Sequence, residues 1–270
     1  MGTSTPDTSP CAPVLEVFAS IQGEAAFVGE PQVFLRLRGC PLRCRWCDTP
    51  ASWALAEGAS ARIATPTRAR REDAWATPFQ AACWIAEVEP GGPRTVSVTG
   101  GEPLLWPEFV LALKPMLGRR RLHLETAGAH PRSLARVLPA CDHVSLDLKP
   151  EFDLDAPVEL ADPRTTRERA PRDAAEWSAA RRECLRLVAG RDACGKLVVA
   201  GSRTPEAYAP LLDEVEREAS GLLVVVQPAS PIGGVEAPSR ELVDAVAEMA
   251  RDRELAVRVL PQVHRLLGIP

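Results

Sequence analysis

The feature that most constrains this chain is a repeated switch of hydrophobic period, in which short β-rich runs alternate with helical stretches. Residues 33–38 (VFLRLR), 95–99 (TVSVT), 121–126 (RLHLET), 143–148 (HVSLDL), 196–200 (KLVVA) and 222–227 (LLVVVQ) read as strands. Residues 256–260 (AVRVL) read as a seventh strand or a closing segment. Between them, 79–89, 108–117, 131–138, 174–188, 205–218 and 239–254 read as helices, with Pro205 and Ser239 at helix starts. Strand–helix alternation implies parallel strands joined by right-handed crossovers. Six such units predict an α/β fold, an incomplete TIM-like (β/α)6 barrel. In such barrels the chemistry gathers at the C-terminal ends of the strands.

A length of 270 residues suits one such domain. Hydrophobic residues at 46% and charged residues at 25% allow a sizeable core. A net charge of −4 gives no global electrostatic case for nucleic acid or membrane. No apolar run reaches the length of a membrane span. Residues 1–13 are polar and proline-containing, lack the order of a signal peptide, and read as a disordered tail before a single domain over 14–270. Two stretches read as insertions. Residues 54–77 are alanine- and arginine-rich without a clear period, and 151–172 are charged and proline-studded. Each reads as a solvated loop or a lid.

Three of the eight cysteines, Cys40, Cys44 and Cys47, share the segment CPLRCRWC with C-x3-C-x2-C spacing. Three thiolates on one loop can hold three corners of a 4Fe–4S cluster and leave the fourth iron open to a small molecule. An open coordination position is the mark of a catalytic metal site. A structural zinc site competes; it needs four closed ligands and would have to recruit His123 or His143. Cys11, Cys83, Cys141, Cys184 and Cys194 are scattered and read as buried or incidental free thiols. A second motif, Thr99-Gly100-Gly101-Glu102-Pro103, follows the second strand. Its glycines allow close approach to the backbone, and the Glu102 carboxylate can accept hydrogen bonds from an ammonium group.

Together the two motifs resemble the radical S-adenosylmethionine (SAM) superfamily. Further stretches are similar to the 7-carboxy-7-deazaguanine synthases of queuosine biosynthesis: EVFASIQGE at 16–24, Phe34-Leu35-Arg36, the CDT of Cys47-Asp48-Thr49, TGGEPL at 99–104, Glu125-Thr126-Ala127-Gly128, SLDLK at 145–149, Gln227-Pro228 and the ending HRLLGIP. The resemblance spans nearly the whole chain after the tail. It implies a barrel of the radical SAM type and a lyase reaction. In that reaction 6-carboxy-5,6,7,8-tetrahydropterin becomes 7-carboxy-7-deazaguanine with loss of ammonia. The implied cofactors are a 4Fe–4S cluster, SAM and Mg2+.

By the same resemblance, Ile21, Gln22, Gly23, Arg36, Thr99 and Pro270 contact substrate. Trp46, Cys47, Asp48, Gly101, Glu102, Asp147, Leu148, Lys149, Gln227, Pro228, Ala229 and Ser230 contact SAM. Cys40, Cys44 and Cys47 ligate the cluster, and Thr49 contacts Mg2+. A glutamine side chain suits the donor–acceptor edge of a pterin, and a guanidinium forks onto a carboxylate. Arg38, by contrast, reads as a solvent-facing strand arginine. The chain departs from the family at Ala25 and Ala127, where glycine and asparagine are commoner. It departs again at Asp147-Leu148-Lys149, where many members carry serine–proline–lysine. The resemblance also implies a pterin substrate, an electron-donor protein, a homodimer and a cytoplasmic setting, with no nucleic acid and no membrane. Two rivals remain: another radical SAM enzyme such as a glycyl-radical activase, which shares both motifs but not IQGE and CDT, and a zinc-stabilised binding module.

Overall fold

One continuous sheet runs through the protein, a computed structural model that describes residues 10–55, 57–91 and 94–270. In chain order its strands are β1 (Ala12–Ile21), β2 (Pro31–Leu37), β3 (Ser60–Ala64), β4 (Ala69–Asp73), β5 (Thr95–Gly100), β6 (Leu122–Thr126), β7 (His143–Asp147), β8 (Ala193–Val199), β9 (Leu223–Pro228) and β10 (Val257–Val259). Their spatial order is β10-β9-β8-β7-β6-β5-β2-β1-β3-β4. From β2 through β10 every neighbouring pair is parallel. The described path is open, with β10 at one end and β4 at the other. This is the expected α/β architecture, six parallel strands of an incomplete barrel plus a short closing strand.

The helices are α1 (Pro78–Val88), α2 (Pro107–Leu113), α3 (Pro131–Val137), α4 (Ala174–Val188), α5 (Ala209–Ala219), α6 (Arg240–Arg251) and α7 (Val263–Leu267). Their starts follow from side-chain chemistry. Thr77 and Gln80 cap α1 reciprocally, Asp173 accepts from the Glu176 amide, and Ser239 accepts from the Leu242 amide. Pro205 opens a 3-10 turn that leads into α5.

Successive strand residues point to opposite faces. Val96, Val98, Leu122, Leu124, Val144, Leu146, Leu197, Val224 and Val226 pack with Leu134, Leu185, Leu212 and Val246 of the helices. Alternate positions Ser97, Thr99, His123, Glu125, Ser145, Asp147 and Lys196 therefore face the barrel interior. The interior is polar yet enclosed, so its groups must satisfy one another.

The structure departs from the sequence reading at the edges. Strand β1 begins at Ala12, inside the stretch read as tail; residues 1–9 of that stretch lie outside the described residues. Ala12 and Pro13 pair with Trp75–Ala76, and β1 runs antiparallel beside β2. The insertion at 54–77 contains the β3–β4 hairpin, which extends the sheet from β1. Its alternation was hidden by Arg62 on β3 and by Arg70, Arg71 and Glu72 on the edge strand β4, where charge blocks further strand pairing.

Candidate active site

Beyond β2 the chain turns at Gly39, with φ +89°, into the cysteine loop. The second insertion is a strap over this loop. Leu154–Asp155 pairs antiparallel with Arg43–Cys44, the Arg45 amide donates to Asp153 O at 3.1 Å, and the Val158 amide donates to Pro41 O at 2.8 Å. Cys40, Leu42 and Cys44 are buried with Ala127, Ala129, Ala170 and Trp177, while Trp46, Cys47 and Trp53 pack against them. Burial, and then the neighbouring Cys44, drive the Cys40 thiol far above its ordinary range. Burial takes Cys44 up to about 11 against the opposing charge of Lys149, and it raises Cys47. A cationic metal centre supplies the positive charge this apolar cage withholds and takes the place of the protons.

The glycine turn after β5 sits directly on the entry to the cysteine loop. Gly101 N donates to Leu37 O at 3.0 Å and Glu102 N to Gly39 O at 2.8 Å. A Cβ on Gly101 would lie 2.1 Å from Gly39 O, and one on Gly100, at φ +118°, 2.3 Å from Leu37 O. The glycines are thus required by backbone against backbone, besides bordering the cavity.

Glu102 departs from the expectation of an open carboxylate. It is fully buried and outside the cavity lining. Its oxygens accept from Leu104 N at 3.0 Å, Thr126 Oγ1 at 2.7 Å and Ala127 N at 2.9 Å. It ties β5 to β6 beneath the site. Leu148 and Pro228 are also outside the lining; Leu148 packs in the core and its amide donates to Lys196 O at 2.8 Å.

Every other residue expected to contact substrate, SAM, cluster or Mg2+ borders one cavity: Cys40, Cys44, Trp46, Cys47, Asp48, Thr49 and Gly101 on one side, Ile21, Gln22, Gly23, Arg36 and Thr99 on another, and Asp147, Lys149, Gln227, Ala229, Ser230 and Pro270 around them. The C-terminus reaches it because Val263 N donates to Gly23 O at 2.9 Å and Ser20 Oγ donates to Pro270 O at 2.8 Å. A Cβ on Gly23 would strike the His264 ring at 2.0 Å. Arg38 does not face solvent freely; it donates to Ala51 O at 3.0 Å and Ser60 O at 3.4 Å.

Residues that sequence reasoning left without a role complete the floor. Glu125 accepts from Gln22 Nε2 at 2.9 Å, Thr99 Oγ1 at 3.2 Å and Ser97 Oγ. Lys196 Nζ lies 2.5 Å from Glu24 and 3.0 Å from Asp147, and Lys149 Nζ lies 2.6 Å from Asp147 and 4.2 Å from the Trp46 ring centroid. Gln262 Nε2 donates to Glu24 at 2.6 Å and Asp48 at 3.1 Å. Burial alone would raise the Glu24 carboxyl, but the Lys196 charge and the Gln262 and Lys196 hydrogen bonds outweigh it and hold it at about 2. A lysine inside the apolar run KLVV was the available signal for Lys196, since such a charge needs a buried partner. Gln262 carried no comparable signal.

His123 and His143 do not border this cavity. His123 Nε2 meets Ser145 Oγ at 2.8 Å, His143 Nδ1 meets Asp192 Oδ1 at 2.6 Å, and Phe27 packs edge-on against both rings. They form a layer at the strand starts, and the zinc reading loses both of its proposed fourth ligands.

The donor set fits the implied cofactors. Three thiols face the cavity, and two buried polar atoms on its wall, Trp46 Nε1 and Gln227 Oε1, lack hydrogen-bond partners. Buried polar atoms are costly unless something satisfies them. For a hard cation, Thr49 Oγ1 sits 2.9 Å from Asp48 Oδ1, and ligand atoms of Glu24, Asp48 and His264 lie within 4.8 Å of one another.

Residues 35–151 match the Radical SAM superfamily. The chain is 31% identical over 272 residues to the 7-carboxy-7-deazaguanine synthase of Methanothermobacter thermautotrophicus, covering 96% of this chain and 98% of that protein. It is 30% identical to the Geobacter sulfurreducens protein of the same name, covering 97% and 99%. Among solved structures, QueE from Escherichia coli aligns with a TM-score of 0.52 at 22% identity, covering 92% of this chain and 93% of that one. A radical SAM methyltransferase from Sphaerobacter thermophilus aligns with a TM-score of 0.59 at 16% identity over 86% of this chain and 66% of that one. These two likenesses are of fold.

Proposed function

Because the chain belongs to the 7-carboxy-7-deazaguanine synthase family, we propose that it is the radical SAM lyase of 7-deazaguanine and queuosine biosynthesis, converting 6-carboxy-5,6,7,8-tetrahydropterin to 7-carboxy-7-deazaguanine with release of ammonia. One observation carries this reading: two buried thiols, the half-buried thiol of Cys47 and a fixed set of amide, carboxylate and guanidinium groups border the same cavity. A 4Fe–4S cluster and SAM, when bound there, supply the one-electron chemistry that removes hydrogen from a carbon no side chain could activate.

The protein's part is to hold and shield. Cys40, Cys44 and Cys47 hold the cluster. Trp46, Gly101, Lys149, Gln227, Ala229 and Ser230 border the space for SAM, and the orphaned Trp46 and Gln227 atoms offer it one donor and one acceptor. Gln22 is fixed by Glu125, so both present set polar groups to a pterin edge. Arg36, anchored by Glu16 at 3.0 Å and stacked beside Phe18, offers its remaining guanidinium face to the substrate carboxylate. Thr49 and Asp48 offer oxygens to Mg2+. Ile21, Gly23, Thr99 and Pro270 close the substrate end.

An electron-donor protein, a homodimer and a cytoplasmic setting remain part of this proposal. A reducing compartment accords with the free thiols of Cys40, Cys44, Cys47, Cys83, Cys141, Cys184 and Cys194. No helix of the described residues is long and apolar enough to cross a membrane. The deciding experiment is anaerobic reconstitution with iron and sulfide, followed by incubation with SAM, reductant, Mg2+ and carboxytetrahydropterin. Carboxydeazaguanine and ammonia should form in equal amounts. A brown, SAM-cleaving protein that leaves the pterin unchanged would favour the activase reading, and a colourless zinc protein would end both.

A further inference from the structure

A second cavity, of about 430 Å³, lies under the strap and shares no lining residue with the first. Its walls include Pro41 of the cysteine loop, Leu105, Leu160 and Ala170, and its depth is marked by His130. That imidazole is fully buried, yet neither ring nitrogen has a hydrogen-bond partner. The protein's other two buried histidines differ, with both ring nitrogens of each engaged. Two orphaned nitrogens in one ring cost free energy unless an occupant meets them, and the space exceeds what one water needs.

We propose that this cavity is a binding site for a small organic carboxylate with an apolar or planar body. The apolar walls take the body. The unpaired donors suit an acid. Glu168 is engaged by the Arg132 and Ser133 amides at 3.0 and 2.9 Å, Asp162 by Arg164, and Arg169 by Glu176. Among the described residues, Arg167 and Arg172 make no ion pair, and both border the cavity beside the exposed Glu159 and the amide-bound Glu168. Imidazole N–H and guanidinium are both donors to a carboxylate. An occupant would press on the strap where Thr166 N donates to Leu105 O and Val158 N to Pro41 O, each at 2.8 Å, and so stiffen the outer side of the cysteine loop.

The chain's four histidines make the test direct, because His130 borders this cavity and His264 the other. Ring-nitrogen NMR spectra of the full-length protein, assigned with His130→Gln, are recorded while benzoate or 7-carboxy-7-deazaguanine is added. Benzoate should shift His130 in a saturable way, with a dissociation constant on the order of millimolar. Arg167→Gln, at an exposed position, should weaken that binding about tenfold and leave turnover unchanged. If the deazaguanine acid also moves His130, the site senses the enzyme's own product; if it moves only His264, the occupant is another carboxylate. A His130 signal that neither acid moves would leave buried water as the only occupant, and a shift indifferent to Arg167→Gln would mean that no guanidinium there holds a carboxylate; either result overturns the proposal. The benzoate arm does not depend on the reaction assigned above, so failure of either can be told apart.

Discussion

The two ends of the active-site cavity are built by opposite means. At the cysteine end the chain buries thiols among alanine, leucine and tryptophan and clamps them with backbone hydrogen bonds from the strap. At the floor, Glu24, Asp147, Lys149, Lys196 and Gln262 satisfy one another in a connected run of ion pairs and hydrogen bonds. The first end is complete only when a metal centre neutralises its thiolates. The second is complete within the protein, presenting fixed charges and amides to whatever enters. A site that must assemble a cluster and also recognise a polar heterocycle separates the two tasks by environment.

The contrast breaks most severely at the cysteines. Cys44→Ala removes one corner of the cluster site, and no spare thiol borders the cavity. Visible absorbance after reconstitution and SAM cleavage should both fall to background while the far-ultraviolet circular dichroism is kept. Retained cleavage would remove Cys44 from the ligand set.

Lys196→Met tests the floor. It leaves Asp147 with Lys149 alone and strips Glu24 of its cation, so unfolding free energy should drop by about 3 kcal/mol, read from denaturant midpoints. The pH dependence gives the sign. The Glu24 carboxyl is held below its ordinary 4.5, at about 2. It therefore contributes stability that is present above pH 4.5 and is lost as pH falls toward 2. That acid loss should be smaller in Lys196→Met, and an unchanged acid slope would mean the pair does not act as described.

Glu125→Gln should have a smaller and more selective effect. The amide keeps the shape but loses the charge that accepts from Gln22, Thr99 and Ser97 together. The KM for the pterin should rise roughly tenfold, as expected for about 1.4 kcal/mol of charge-assisted hydrogen bonding, with SAM binding unchanged. Equal weakening of both ligands would place Glu125 outside the substrate end.

What could be read from the sequence follows from the same contrast. The parallel strands were legible because one face of each is continuously apolar, and α4 was legible to the residue because its caps and period agree. The cysteine spacing and the glycine turn were legible as local motifs. The buried partners of Glu102 were not legible, because a carboxylate after a glycine turn gives no sign of whether it will meet a ligand or the protein's own amides and hydroxyls. Strand β1 was not legible because its start falls in the proline-containing stretch that reads as tail and the rest in the EVFASIQGE motif. Residues 151–172 read as a solvated loop or a lid, with nothing to choose between them, because the strap's contacts with the cysteine loop are main-chain hydrogen bonds, which leave no mark on residue type. Lys196 and Glu24 sit 172 residues apart in the chain, so only the fold could pair them.

The smallest expected effect sharpens the account of the strap. Arg45 and Asp155 form an ion pair at 3.1 Å across the Arg43–Cys44 and Leu154–Asp155 ribbon, and both side chains are at least half exposed. An exposed pair gains little over hydration and is screened by salt. The ribbon also has the Arg45 amide bonded to Asp153 O, and Asp153 is held by Arg203 at 3.0 Å. Asp155→Asn should therefore change the unfolding free energy by less than about 0.5 kcal/mol and leave reconstituted iron content unchanged. Arg203→Ala should cost more, because it strips a buried carboxylate of its cation and frees Phe152 O as well. If Asp155→Asn instead lowered iron content, surface charge rather than backbone pairing would be what fastens the strap to the thiols.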